Sequence, residues 1–324
     1  MTGKRQKRGL DLPKNFWSKI FGLRSKRTKP RAVLSCVVDQ HPKFLIQAWI
    51  WLVSAKSSGA FKDCDVVIHH VGDAPDVLRK AAARFGARLY EVELFGEGAA
   101  RYCNKLQSHG PVLSSGGSGV LLTDVDLFFL ESPIACLDSY YVQSKVVDHA
   151  NPSSETLSTL AQILNLPVQK FEAVPTFRPD SRTHKMNCNG GLYALPMACL
   201  EALAPYWREY SNQCLAETGL LGKRLHHSDQ IGFLMSMIKT ELPFRELDIR
   251  YNFPTHLESS EYDSIQVDDI SIIHYHDKIC SRGRLIETGH AGIDTFINRA
   301  NHILKRYEHH PEYKEIQSIY AASL

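Results

Sequence analysis

Two aspartates one residue apart, Asp124 and Asp126, follow an apolar run in the 324-residue chain, Gly119-Val-Leu-Leu-Thr-Asp-Val-Asp-Leu-Phe-Phe-Leu130. Side chains alternate along a strand, so both carboxylates point to one side if extended geometry continues through them. Their charges repel, and in a cleft water screens that repulsion poorly. A hard divalent cation relieves it, and such a cation also bridges phosphate oxygens. The plainer reading is an acidic strand end facing solvent, and the spacing alone does not choose between the two. Position adds weight to the cation, because the pair ends the fourth strand of a regular alternation.

That alternation is read from hydrophobic patterning. Ala32–Val38 reads as a buried strand, and 41–54 as a helix with Phe44, Leu45, Ala48, Trp49, Leu52 and Val53 on one face. Strands follow at 64–71, 88–94 and within 119–130, separated by a helix over 74–85, closed by Gly86, and a helical stretch over 99–107. Strand–helix alternation implies parallel strands with helical crossovers, hence an α/β sheet with helices on both faces. Ligands bind beyond the carboxyl ends of such strands, which sets Asp39, Asp73 and the Asp124–Asp126 pair along one rim. The second half is less regular: helices over 151–166, 197–217 and 229–242, an irregular region over 167–185, short strands at 192–195 and 271–275, and a terminal helix over 291–308. These make one domain over 31–310, with a more regular half at 31–130 and an elaborated half at 131–310. Residues 311–324 read as a polar tail.

Hydrophobic residues make up 44% of the chain and charged residues 23%, which excludes a wholly disordered protein. The apolar stretches around 48–55 and 120–125 fall short of the ~20 residues that cross a bilayer. No apolar core of a signal peptide follows the basic start, so a cytoplasmic location is expected. Eight cysteines without a C-x-x-C pair are expected to be reduced and mostly buried, without structural zinc. Residues 1–31 hold eleven Lys or Arg against the single acid Asp11, leaving 27 basic and 34 acidic residues in the remainder. An acidic body is a poor partner for nucleic acid. In the arm, residues 1–30, Phe16, Trp17, Ile20 and Phe21 stand at helical spacing, flanked by Lys14, Lys19 and Arg24. That pattern suits an anionic membrane surface, as a peripheral contact; a tail, or a helix packed on the body, has the same composition.

The D-x-D strand end resembles that of GT-A-fold glycosyltransferases, and most nearly family 8, the glycogenin-like and lipopolysaccharide-galactosyltransferase-like group. Further stretches fall in the family's order: Asn104-Lys-Leu106, Asn187-Cys-Asn189-Gly190-Gly191, His227-Ser-Asp229-Gln230, Arg250-Tyr-Asn252-Phe-Pro254 and His274-Tyr-His276-Asp277-Lys278. The resemblance spans roughly residues 32–280 and rests on the order of short motifs. It implies a GT-A-type mixed, mainly parallel sheet flanked by helices. It also implies transfer of a sugar from a nucleotide-sugar donor, most simply UDP-linked, to a saccharide or lipid-linked acceptor. Mn2+ or Mg2+ is the implied cofactor, held by Asp126 and His274 with Asp124 on the metal or the donor ribose; imidazole suits a manganese-like ion. Asp39 would lie by the nucleoside, Lys105 by the diphosphate or sugar, and Asn189 with Gly190 and Gly191 along the donor sugar. Lys278 would stabilise the departing diphosphate.

Asp229 would contact the sugar or the acceptor hydroxyl. It is the candidate base for an inverting reaction, whereas retention, the family 8 outcome, requires no strong base. The chain departs from the family pattern at Asp277, where glycine is usual, and at Ile279-Cys280, where Pro-Trp is common. His276 stands as a second candidate ligand. Ordinary structural roles compete for several of these residues: a helix cap at Asp39 or Asp229, a tight turn at Asn189–Gly191, a solvated Lys105, and a core histidine at 274. Two other functions share parts of the pattern: an aspartyl-nucleophile phosphohydrolase using the D-x-D, and a non-catalytic nucleotide-sugar-binding protein of the same fold. A nucleotidyltransferase would carry a glycine-rich basic loop after the first strand, where Val38-Asp-Gln-His-Pro42 stands.

Overall fold

The computed structural model describes residues 31–177, 181–263, 265 and 269–324. The arm over residues 1–30, and with it the membrane-surface reading, lies outside the described residues. The strands β1 (Ala32–Val38), β2 (Cys64–Val71), β3 (Arg88–Val92) and β4 (Gly119–Thr123) pair in parallel, with β1 between β2 and β4. β5 (Leu127–Phe129) leaves that sheet, and β6 (Val142–Val146) rejoins it. β7 (Ala173–Pro175) and β8 (Arg182–His184) form an antiparallel pair within the stretch expected to be irregular. β9 (Cys188–Pro196) runs antiparallel to both β4 and β6, and β10 (Phe244–Glu246) runs parallel to β6. The main sheet has the order β10-β6-β9-β4-β1-β2-β3. β11 (Phe253–Pro254) and β12 (Ile272–His274) complete a second sheet of order β11-β12-β5. The expected mixed, mainly parallel sheet is therefore present.

The longer helices are α1 (Pro42–Ser57), α2 (Asp76–Phe85), α3 (Ser154–Ile163), α4 (Met197–Ala216), α5 (Ser228–Thr240), α6 (Ala291–Lys305) and α7 (Pro311–Ala321). Alternation along β1 sends Ala32, Leu34, Cys36 and Val38 into a core shared with α1, and Val33 into a second core shared with α4 and α5. α4 and α5 pack closely: a Cβ on Gly232 would meet Ser211 Oγ at 2.2 Å and its backbone N at 2.8 Å.

The one-faced pattern expected for α1 is incomplete. Every residue from Leu45 to Ala55 is buried, and a helix apolar on all sides needs cover on all sides. The sheet supplies one side, where Trp51 Nε1 donates to Thr123 Oγ1 (3.0 Å). α2, α6 and α7 supply the rest; the Trp49 ring lies 5.3 Å from Phe85 and 6.0 Å from Tyr313. This corrects the polar tail expected at 311–324. Residues 311–321 are helical, with Ile316 and Tyr320 buried and Glu312 paired with Arg84 (2.8 Å).

Candidate functional site

The acidic pair is set by two sheets meeting at a turn. Asp124 N–H donates to Gly191 O (2.9 Å), carrying the β4–β9 pairing one residue past β4. Val125 and Asp126 then turn, so the two side chains are not placed by strand alternation as expected. β5 follows, antiparallel to β12, with Leu127 opposite His274; Tyr275 N–H donates to Asp126 O (3.1 Å). This register brings a carboxylate from mid-chain against an imidazole from near the chain's end. Ligand atoms of Asp126, His274 and His276 all lie within 4.8 Å of one another. His276 adopts the left-handed backbone conformation at φ 51°, and its carbonyl accepts from Gln47 Nε2 on α1 (2.9 Å). Asp277, the departure from the family's glycine, pairs with Lys43 (2.6 Å).

Hydrogen bonds fix which nitrogen of His274 carries its proton. Gly191 N–H can only donate, so the atom it meets at 2.8 Å is Asn189 Oδ1. Asn252 faces that oxygen with Nδ2 (3.2 Å), which turns Asn252 Oδ1 to His274 Nδ1 (2.9 Å). Burial holds the ring neutral, its pKa pushed down to about 3. Nδ1 is therefore the protonated nitrogen, and Nε2 presents a lone pair 3.3 Å from Asp126 Oδ1. No hydrogen bond reaches Asp126 Oδ1 or His276 Nε2, although both are shielded from water. Such facing acceptors need a shared proton or a cation. Burial raises the Asp126 pKa, while three convergent ligand atoms fit a divalent ion that accepts nitrogen and oxygen. Gly191 leaves the room required: a Cβ there would meet His274 Nδ1 at 2.7 Å and Asn252 Oδ1 at 2.9 Å.

Asp124 is not one of those three residues. Its Oδ1 lies 2.6 Å from Lys105 Nζ, and Lys105 is only 7% exposed, which removes the solvated-lysine reading. Lys105 also donates to Gly190 O and lies 5.3 Å above the Tyr193 ring. Burial raises the Asp124 pKa, and Lys105 opposes that rise. Asp229, in the first turn of α5, is buried, and burial pushes its pKa up to about 7 against the pull of Lys105. Asp124, Asp126, Asn189, Gly190, His274 and His276 line one cavity of about 280 Å3. Asp39 accepts from Asn104 Nδ2 (3.2 Å), and His41, not Asp39, caps α1. Lys278 is exposed and stands outside the residues lining that cavity.

The same cavity is lined by His227, quoted above only as the first residue of its motif, and by Asp148, His149, Asn151 and His256, which the sequence did not single out. Asp148 forms a buried ion pair with Lys145. Nothing in their spacing marks them, because segments near residues 150, 227 and 256 come together only after folding. Asn252 was visible as a motif member, but its hold on His274 needs the β11–β12 register.

No protein-family model and no curated protein match the sequence. Solved structures do. The galactosyltransferase LgtC in complex with donor and acceptor sugar analogs is 12% identical, with 88% of this chain and 99% of that chain covered, at a TM-score of 0.53. An active-site mutant of LgtC gives the same identity, coverage and TM-score. Mouse xyloside xylosyltransferase 1 is 15% identical over 76% of this chain and 98% of that chain, at a TM-score of 0.46. The chain has the GT-A fold of glycosyltransferases.

Proposed function

We propose that the protein is a divalent-metal-dependent glycosyltransferase that takes a nucleotide-sugar donor, most simply UDP-linked, and a saccharide or lipid-linked acceptor. The observation that carries this is the Asp126–His274–His276 convergence, in which His274 Nε2 faces an unpartnered carboxylate oxygen within a cavity. Breaking the bond between sugar and diphosphate builds negative charge on the diphosphate and positive character on the sugar. A divalent ion held by Asp126, His274 and His276 would stabilise the first of these charges.

The chain's own groups do the rest. Lys105 holds Asp124 and the Gly190 carbonyl, fixing the wall beside the metal ligands. Asn252 keeps His274 in the tautomer that leaves Nε2 free. Asp229, whose proton is lost near neutral pH, suits a group that steadies a developing sugar cation or takes the acceptor proton. Lys278, reached by a short loop beyond the ligands, is assigned to the departing diphosphate. Asp39 is assigned to the nucleoside, as it lies just past the end of β1. The basic, aromatic arm favours an acceptor at an anionic surface.

Asp126→Asn tests the proposal. The variant is expected to keep its circular-dichroism spectrum and lose manganese-dependent donor turnover by about 100-fold or more. Wild-type turnover in that variant rejects the assignment.

A further inference from the structure

His227 stands at the start of α5 and lines the cavity with Asp124, Asn189, Gly190 and Gln230. Its protonation pattern is fixed from outside. Arg224 Nε can only donate, so the atom it meets at 2.9 Å is Asn151 Oδ1. Asn151 Nδ2 is then the atom 3.0 Å from His227 Nε2, and Nε2 accepts its hydrogen. Burial keeps the imidazole neutral, its pKa pushed down to about 4. The ring's one proton is therefore on Nδ1. That nitrogen is shielded from water and has no hydrogen-bond partner, the state of a donor whose acceptor comes with a ligand.

We propose that His227 is a specificity-determining residue of the donor-sugar site, its Nδ1–H directed to a hydroxyl oxygen of the transferred sugar, with Arg224 and Asn151 acting as positioning residues. This rests on the reading that the cleft takes a nucleotide sugar. The sugar is joined to the diphosphate, so it must sit beside the metal-ligand cluster, and His227 lines that same cavity. The second face of the histidine is occupied by Asn151, so the ring offers a donor and no acceptor. A hydroxyl meets that demand, and a group that only donates does not.

Binding of UDP, UDP-glucose, UDP-galactose and UDP-N-acetylglucosamine is measured by calorimetry with manganese, using the full chain, His227→Phe and His227→Asn. UDP affinity should be unchanged in both variants, which also reports intact folding. For the preferred UDP-sugar, His227→Phe should weaken binding about 10-fold relative to UDP, and His227→Asn, whose amide N–H can stand near Nδ1, should recover most of it. A deoxy donor lacking the contacted hydroxyl should bind wild type and His227→Phe alike. An unchanged UDP-sugar to UDP ratio in His227→Phe overturns the inference, as does an equal loss for UDP and UDP-sugar. Absence of any UDP or UDP-sugar binding by the wild-type chain strikes the functional reading beneath it.

Discussion

A single histidine nitrogen illustrates how the site is made. His274 Nε2 is left free as a candidate ligand atom because a backbone N–H at Gly191 orients Asn189, which orients Asn252, whose Oδ1 accepts the hydrogen bond from Nδ1–H. Asn252→Ala should therefore lower manganese affinity by about 10- to 100-fold, read by calorimetry, with the fold retained. Undiminished affinity would remove Asn252 from the site. Asp124 and Asp126 stood out in the sequence as paired carboxylates and His274 through the resemblance of its motif; the structure sets Asp126 against His274 and pairs Asp124 with Lys105. His276 was visible as a second candidate ligand, but the chain of amides behind His274 was not visible at all. Asn189 and Asn252 are 63 positions apart, and nothing local in either motif says which amide faces which.

At the level of elements, the strand–helix alternation of the first half was readable because apolar runs of strand length are bounded by turn residues; β1 and β2 have the bounds the pattern implied. The hidden element was α7. Tyr313, Ile316 and Tyr320 stand at helical spacing, but few other apolar residues accompany them, and the stretch reads as polar. Its reason for folding lies in α1, whose unbroken burial requires a cover that α7 helps to provide. Ile316 is fully buried there. Ile316→Ala should lower the unfolding free energy by about 2–5 kcal/mol in chemical denaturation, and a change within a few tenths of a kcal/mol would show α7 to be dispensable. The turn at Val125–Asp126 was missed for a related reason: Leu127–Phe129 is apolar like β4, and only the partner strand β12 shows that it belongs to another sheet.

Across the whole molecule, burial has left neutral several histidines that do not line the cleft. His69, His109 and His184 have pKa values lowered by burial from 6.5 to about 4, 3 and 4. Their stabilising contribution is complete above pH 6.5 and is lost as pH falls toward those values, because the unfolded chain binds protons first. Asp229 acts in the opposite sense, since its raised pKa favours the folded state as pH falls below about 7. His227 and His274, lowered to about 4 and 3, act with these three histidines, and Asp124 and Asp126, both raised, act with Asp229. With these five histidines against three aspartates, the Tm should fall from pH 6.5 to pH 4, and more gently in His109→Leu, and a Tm that is flat or rising would contradict the neutral assignments. The arm carries its own expectation: deleting residues 1–30 should reduce sedimentation with anionic vesicles and spare donor hydrolysis, and unchanged vesicle binding would reject the membrane role. The central claim concerns one shared ion, and pulsed electron paramagnetic resonance of bound Mn2+ in the presence of UDP addresses it most directly. The wild-type chain should show imidazole nitrogen couplings to the ion, diminished in His274→Ala, with ion binding lost in Asp126→Asn. Bound manganese with no imidazole coupling, or couplings unaltered by loss of His274, would contradict the account.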